Sequence, residues 1–177
     1  MHVTMSTDKF LKRIISPNLD GDIRTLHEYT HGLTSDPLLL MAIILSSVIH
    51  DADHRGVSNM QLAKEEGDMA SLYKNKSIAE QNSLDICWDL FMEPNFASLR
   101  QAMFVNRSEM LRFRQILVQM VLATDIFDKE LNDLRKSRWN KAFSDEGSTD
   151  NDLRATIVIE HIIQVGFKYF VVGFEGA

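Results

Sequence analysis

"IILSSVIHDADHRGVSN", residues 43–59, carries an apolar run straight into two histidines and two aspartates. The run extends back to Pro37 and reads as a buried core helix, with His50, Asp51, Asp53 and His54 at its end. Charged groups stay out of buried places unless something compensates them, and a divalent metal ion is a ready compensator. Adjacent His50 and Asp51 suit such an ion because one backbone turn presents a nitrogen and an oxygen ligand together. A carboxylate can also bridge two ions and so help activate water between them. His54 can hydrogen-bond an attacking water or a substrate phosphate. Gly56 permits a sharp exit from the helix, and Asn59 can tie the loop down through its amide. A bare helix C-terminus attracts one histidine through its dipole, which leaves the paired carboxylates unexplained.

The rest of the chain supports a helical frame around this stretch. Its 177 residues suffice for one domain with a core, and eight Gly and three Pro leave little punctuation. The pattern predicts six or seven helices and no strand before the last dozen residues. The first covers about 3–16, and 22–31 holds a short one ended by Gly32. The apolar helix starts at "SDP" (35–37), with Ser35 or Asp36 as N-cap and Pro37 in the first turn. Ser58 caps a short helix ending at Gly67. Ser77 and Glu80 form a capping-box pattern at the head of a helix that Pro94 stops. Two further segments follow, the second broken near Thr124–Asp125, and a last helix covers about 152–164. The expected class is all-α, one domain or a piece of one.

Charge and cysteine usage narrow the setting. A net charge of −6 argues against nucleic acid as the main partner. The one cysteine, Cys87, excludes an internal disulfide and fits a reducing, cytoplasmic location. "PLLLMAIIL" (37–45) falls short of the roughly 20 residues a bilayer requires, and the N-terminus lacks the apolar segment of a signal peptide.

A second motif competes for a metal. In "LHEYTHG", His27, Glu28 and His31 make an H-E-x-x-H pattern that on a helix would bind zinc, with the glutamate as general base. Its context is poor, because Gly32 follows the second histidine and "DGD" lies just upstream. A third ligand would have to come from an unmarked acid or His161.

The motifs together resemble a known family. "HDADHRGVSN" is similar to the H-D-x-x-H-x-G-x-x-N signature of class I 3',5'-cyclic nucleotide phosphodiesterases, within the HD hydrolases. "YKNKSIAEQNSL", "RFRQILVQMVLATDIFDKE" and "ATIVIEHIIQ" resemble further family segments in the same order, over about residues 2–164, with protist and algal members most alike. The resemblance implies an all-helical hydrolase of cAMP or cGMP that uses a tightly held Zn2+ and a looser Mg2+ or Mn2+. It implies metal-ligand roles for His50 and Asp51, and a phosphate-side role for His54. Glu80 corresponds to the glutamate that orients water, and Thr124 and Asp125 to the A-T-D pair beside the metals. Capping for Glu80, and a polar helix break for Thr124–Asp125, stand as alternatives. Fusion to a nucleotide cyclase is a further implication.

The departures generate their own expectations. The family's H-N-x-x-H element and its later ligand aspartate have no counterpart here, and Asn82 and Ser83 replace a pair that is often histidine-rich. Residues 165–177, "VGFKYFVVGFEGA", read as a non-family tail, of the kind that intron read-through in a truncated gene would produce. With two ligands left, metal binding should be weak and the chain as written inactive. Asp51 and Asp53, partly buried without a cation, should have raised pKa values. Ile157, Ile159 and Ile163 should be uncovered.

Overall fold

The computed structural model describes residues 2–15, 27–28, 30–143, 154–155, 157–161 and 164. The apolar run forms helix α2 (Pro37–Ile49). Asp36 is its N-cap and accepts the Leu39 amide at 3.1 Å, while Pro37 fills a first-turn position that has no intrahelical donor to lose. Before it come α1 (His2–Ile15) and a 3-10 turn at Leu33–Ser35. After it come α3 (Asn59–Glu65), α4 (Gly67–Leu72), α5 (Ile78–Met92), a 3-10 turn at Pro94–Phe96, α6 (Ala97–Met103), α7 (Arg107–Leu122) and α8 (Lys129–Phe143). The described residues among 154–164 are helical as well. There is no strand among the described residues, and the expected all-α class is the one found.

Helix α2 packs most extensively on α7, then on α1. Leu39, Ala42 and Ile43 meet Phe113, Leu117, Met120 and Val121, and Phe91 and Phe104 extend the cluster. A smaller cluster of Leu62, Ala70, Ile78 and Ala79 locks α3 and α4 onto the head of α5. These two clusters fix the three places where site residues emerge: the end of α2, the start of α3 with the head of α5, and the end of α7.

Two expectations change. Gly67 begins α4 instead of ending the previous helix, the break falling at Glu66. Ile157 and Ile159 are buried at 0% and 1% exposure, Ile159 in the main core, so the predicted apolar patch does not form there. Of the predicted helix at 22–31, His27 and Glu28 are helical and residues 30–32 turn; the remainder lies outside the described residues, as do Ile163 and the tail 165–177. No helix among the described residues is long and apolar enough to cross a membrane.

Candidate active site

His50 ends α2 as its C-cap and is buried. Its Nδ1 lies 2.9 Å from the Ser47 carbonyl, which can only accept, so Nδ1 carries a proton. Nε2 lies 2.8 Å from Asp51 Oδ2. A ring nitrogen and a carboxylate oxygen this close are bridged either by a proton or by a metal ion held by both atoms. The backbone bond at Nδ1 is the outer contact that ordinarily fixes a ligating histidine's tautomer.

The acids beside it are not buried as expected. Asp51 has 56% of its side chain exposed. Partial burial pushes its carboxyl up, but the hydrogen bond and charge of His50, helped by His54, outweigh that and leave it below the usual value. The expected rise is therefore reversed, because a neighbouring imidazole acts where no second carboxylate does. Asp53 sits in the left-handed region at φ 58° and turns outward, with Asn82 Nδ2 donating to its Oδ2 at 3.4 Å. His54 leaves the helix on a turn closed by its amide on the Asp51 carbonyl. The Gly56 amide donates to His54 Nδ1 at 2.9 Å, so the neutral ring keeps its proton on Nε2 as a donor. Gly56 adopts φ 72°, which glycine permits without strain.

Across from this turn, Asn59 joins two carboxylates. Its Nδ2 donates to Glu80 Oε2 at 2.9 Å and to Asp125 Oδ2 at 3.1 Å, while its Oδ1 accepts the Ala79 amide. Asn59 thus ties the loop down as the sequence predicts. The capping box does not form: Ser77 lies at φ 40° with no side-chain cap, and its hydroxyl donates to Asp125 Oδ2 at 2.8 Å. Asp125 also accepts the Phe127 and Asp128 amides on Oδ1, so its carboxylate is fixed by four donors. Burial, with the charge of Asp125, pushes Glu80 above the usual carboxylate range against the bond from Asn59. Thr124 is buried, its hydroxyl donating to the Val121 carbonyl.

Asp51, His54, Glu80, Thr124 and Asp125 line one cleft of about 520 Å³, with Met60 and Phe127 exposed at its rim. His50 stands behind it through Asp51. The pair His50–Asp51 fits two ligand positions of a metal ion, and no group of three or more His, Cys, Asp or Glu among the described residues is arranged to hold one.

The competing zinc motif comes apart. His31 is left-handed at φ 52° and its ring meets Phe143, whereas His27 Nδ1 pairs with Ser35 Oγ at 2.7 Å. Gly32, also left-handed, turns the chain where a zincin helix would continue. His161 packs on Trp139 and bonds its own helix at the Ile157 carbonyl. Sequence reasoning assigned Ser77 to a capping box and missed its bond to Asp125, because its left-handed backbone carries no sequence signal. It also missed Arg135, a cation buried on α8 among mostly polar neighbours in sequence.

Comparison with known proteins bears on the family and the fold. A family model described as 3'5'-cyclic nucleotide phosphodiesterase matches residues 24–166. A probable 3',5'-cyclic-AMP phosphodiesterase of Caenorhabditis elegans is 34% identical over 104 residues, 54% of this chain and 15% of that protein. A probable 3',5'-cyclic phosphodiesterase of the same organism is 34% identical over 86 residues, 49% of this chain and 11% of that protein. The chain therefore spans less than a sixth of the length of these relatives. The solved phosphodiesterase domain of the RhoPDE fusion protein from the choanoflagellate Salpingoeca rosetta superposes with a TM-score of 0.61 at 16% identity, covering 93% of this chain and 62% of that one. A second, the phosphodiesterase domain of Salpingoeca rosetta rhodopsin phosphodiesterase, gives 0.57 at 19% identity, covering 78% and 44%. At these identities the two structures establish likeness of fold.

Proposed function

We infer, because the chain belongs to the 3',5'-cyclic nucleotide phosphodiesterase family, that its cleft handles the cyclic phosphate of cAMP or cGMP in a metal-dependent hydrolysis. The observation that supports this most is the convergence of Asp51, His54, Glu80, Thr124 and Asp125 on one cleft from three separate parts of the chain. A volume of about 520 Å³ suits a small-molecule substrate.

In this reading His50 Nε2 and the Asp51 carboxylate are the ligands that these residues offer to divalent ions, Zn2+ with Mg2+ or Mn2+. Such ions, when bound, polarise phosphoryl oxygens and make water acidic enough to attack. His54 donates its Nε2 proton to a phosphate oxygen. Glu80, whose carboxyl burial pushes above its ordinary value, is the group placed to accept and return a proton. Asp125 is an acceptor fixed in direction by its four donors, and Thr124 backs it. A fused signalling module and a cytosolic setting belong to the same proposal. The first is motivated by a solved relative described as a fusion protein, the second by the lone Cys87.

Two protein ligands hold a divalent ion weakly. The 177-residue chain should accordingly bind Mn2+ saturably but loosely, and turn over neither cAMP nor cGMP. Electron paramagnetic resonance of free Mn2+ reads the binding, which Asp51→Ala and His50→Ala should each abolish. Binding unaffected by both substitutions would sink the metal assignment. Turnover that Asp51→Ala removes would instead overturn the expected inactivity. An inactive interaction module, the second reading, predicts no saturable binding.

A further inference from the structure

The turn that carries Thr124 and Asp125 is held on two sides. In front, Ser77 and Asn59 hold the Asp125 carboxylate. Behind, α8 reaches the carbonyls left open at the end of α7: Arg135 Nη1 donates to Leu122 O at 3.4 Å and Nη2 to Asp125 O at 3.2 Å. Asn132 Nδ2 donates to Ile126 O at 2.8 Å. Asn132 Oδ1 accepts both Arg135 Nη2 and Gln164 Nε2, which fixes the amide's orientation. Arg135 is 6% exposed, and its Nε has no hydrogen-bond partner among the described residues. A buried, incompletely satisfied cation is a poor device for stability alone, since an apolar side chain of similar size usually serves as well.

We propose that Arg135, assisted by Asn132, is a positioning residue that aims the Asp125 carboxylate into the cleft by pinning the 122–126 backbone from behind. The planar guanidinium spans two carbonyls at once, which a lysine ammonium does not reproduce. This rests on Asp125 serving the cleft as proposed above, and the test separates the two claims.

The measurement is amide hydrogen exchange at Phe127 and Asp128, whose N–H groups donate to Asp125 Oδ1. Because Arg135→Met alone leaves the acid of the Arg138–Glu160 pair in a more negative interior, the test variant is Arg135→Met with Glu160→Gln. Exchange at the two amides should quicken on the order of ten-fold while that of Phe113 and Ile116 stays unchanged. Arg135→Lys should restore the melting temperature of the double variant's parent but not the two amides. Asn132→Ala, at a half-buried position, should quicken them by a smaller factor, and serves if the double variant does not fold. Uniform quickening throughout, or rescue of both amides by lysine, overturns the proposal. Mn2+ titration of the same proteins addresses the underlying reading. A fall in affinity of roughly ten-fold or more supports both claims. Local loosening with unchanged Mn2+ affinity upholds the positioning role and overturns Asp125's place in the metal cleft.

Discussion

Asp36 at the head of α2 and Glu80 in the cleft beyond its other end show what a neighbouring cation does to a carboxylate taken out of water. At the N-terminal end, Asp36 caps the helix and receives both guanidinium nitrogens of Arg112, with Nη2 on its Oδ2. Burial raises its carboxyl, but the Arg112 bonds, the Leu39 amide and the Arg112 charge together bring it below the usual range. Beyond the C-terminal end, Glu80 and Asp125 share a neutral amide donor, and neither takes part in an ion pair among the described residues. There burial wins and Glu80 is pushed up. A carboxylate that serves the fold is given a cation by the fold. Glu80 and Asp125 are held in direction by hydrogen bonds and, unlike Asp51 beside His50, take no ion pair among the described residues, which is costly for the protein alone and useful to a site that receives a positive ligand.

The largest way to break this contrast is to loosen the frame between the two ends. Phe113 is fully buried against Phe91 and Phe104, and Phe113→Ala should cost about 3–5 kcal/mol. Read by urea unfolding, that loss should carry Asp36 and Glu80 with it as one cooperative unit. A separate transition for the cleft would show that the two ends are not coupled. Next comes Asp36→Ala, which removes the cap and strands Arg112. It should cost roughly 1–2 kcal/mol at neutral pH. Because the folded pKa of Asp36 is lowered, its contribution is present above the ordinary 3.8 and disappears as pH falls through the folded value. The variant and the parent should therefore converge in stability under acid. A gap that persists there would assign the effect to packing.

The helical frame was readable in residues 37–59 because an unbroken apolar run with a Ser/Asp-Pro start leaves few alternatives to a buried helix. Asp36 and Ser58 cap as their positions suggest. The residues of the cleft were readable through short motifs, yet their environment was not. Sequence adjacency suggested Asp51 and Asp53 as one buried pair, but a left-handed residue at 53 sends the second side chain outward. The Ser77-x-x-Glu80 spacing is that of a capping box, but tertiary contact with Asp125 and Asn59, 48 and 21 residues away in sequence, competes for both side chains and wins. Local pattern carries local bonds; it cannot register a partner brought in by the packing of α3 and α7 on α5.

The smallest expected effect has the opposite sign. Glu80→Gln keeps an oxygen for the Asn59 amide while removing the buried charge beside Asp125. Since the folded pKa of Glu80 is raised, the folded state holds a proton there that the unfolded chain releases above the ordinary 4.5. Stability from this group therefore falls as pH rises through the interval between 4.5 and the folded value, and stays low above it. Glutamine does not titrate, so the variant should be more stable than the parent at pH 8 by about 0.5–1 kcal/mol, with no advantage at pH 4. Urea midpoints at the two pH values measure both halves. A variant less stable than the parent at pH 8 would mean that Glu80's charge is compensated within the protein, and the difference between Asp36 and Glu80 would then be one of geometry alone.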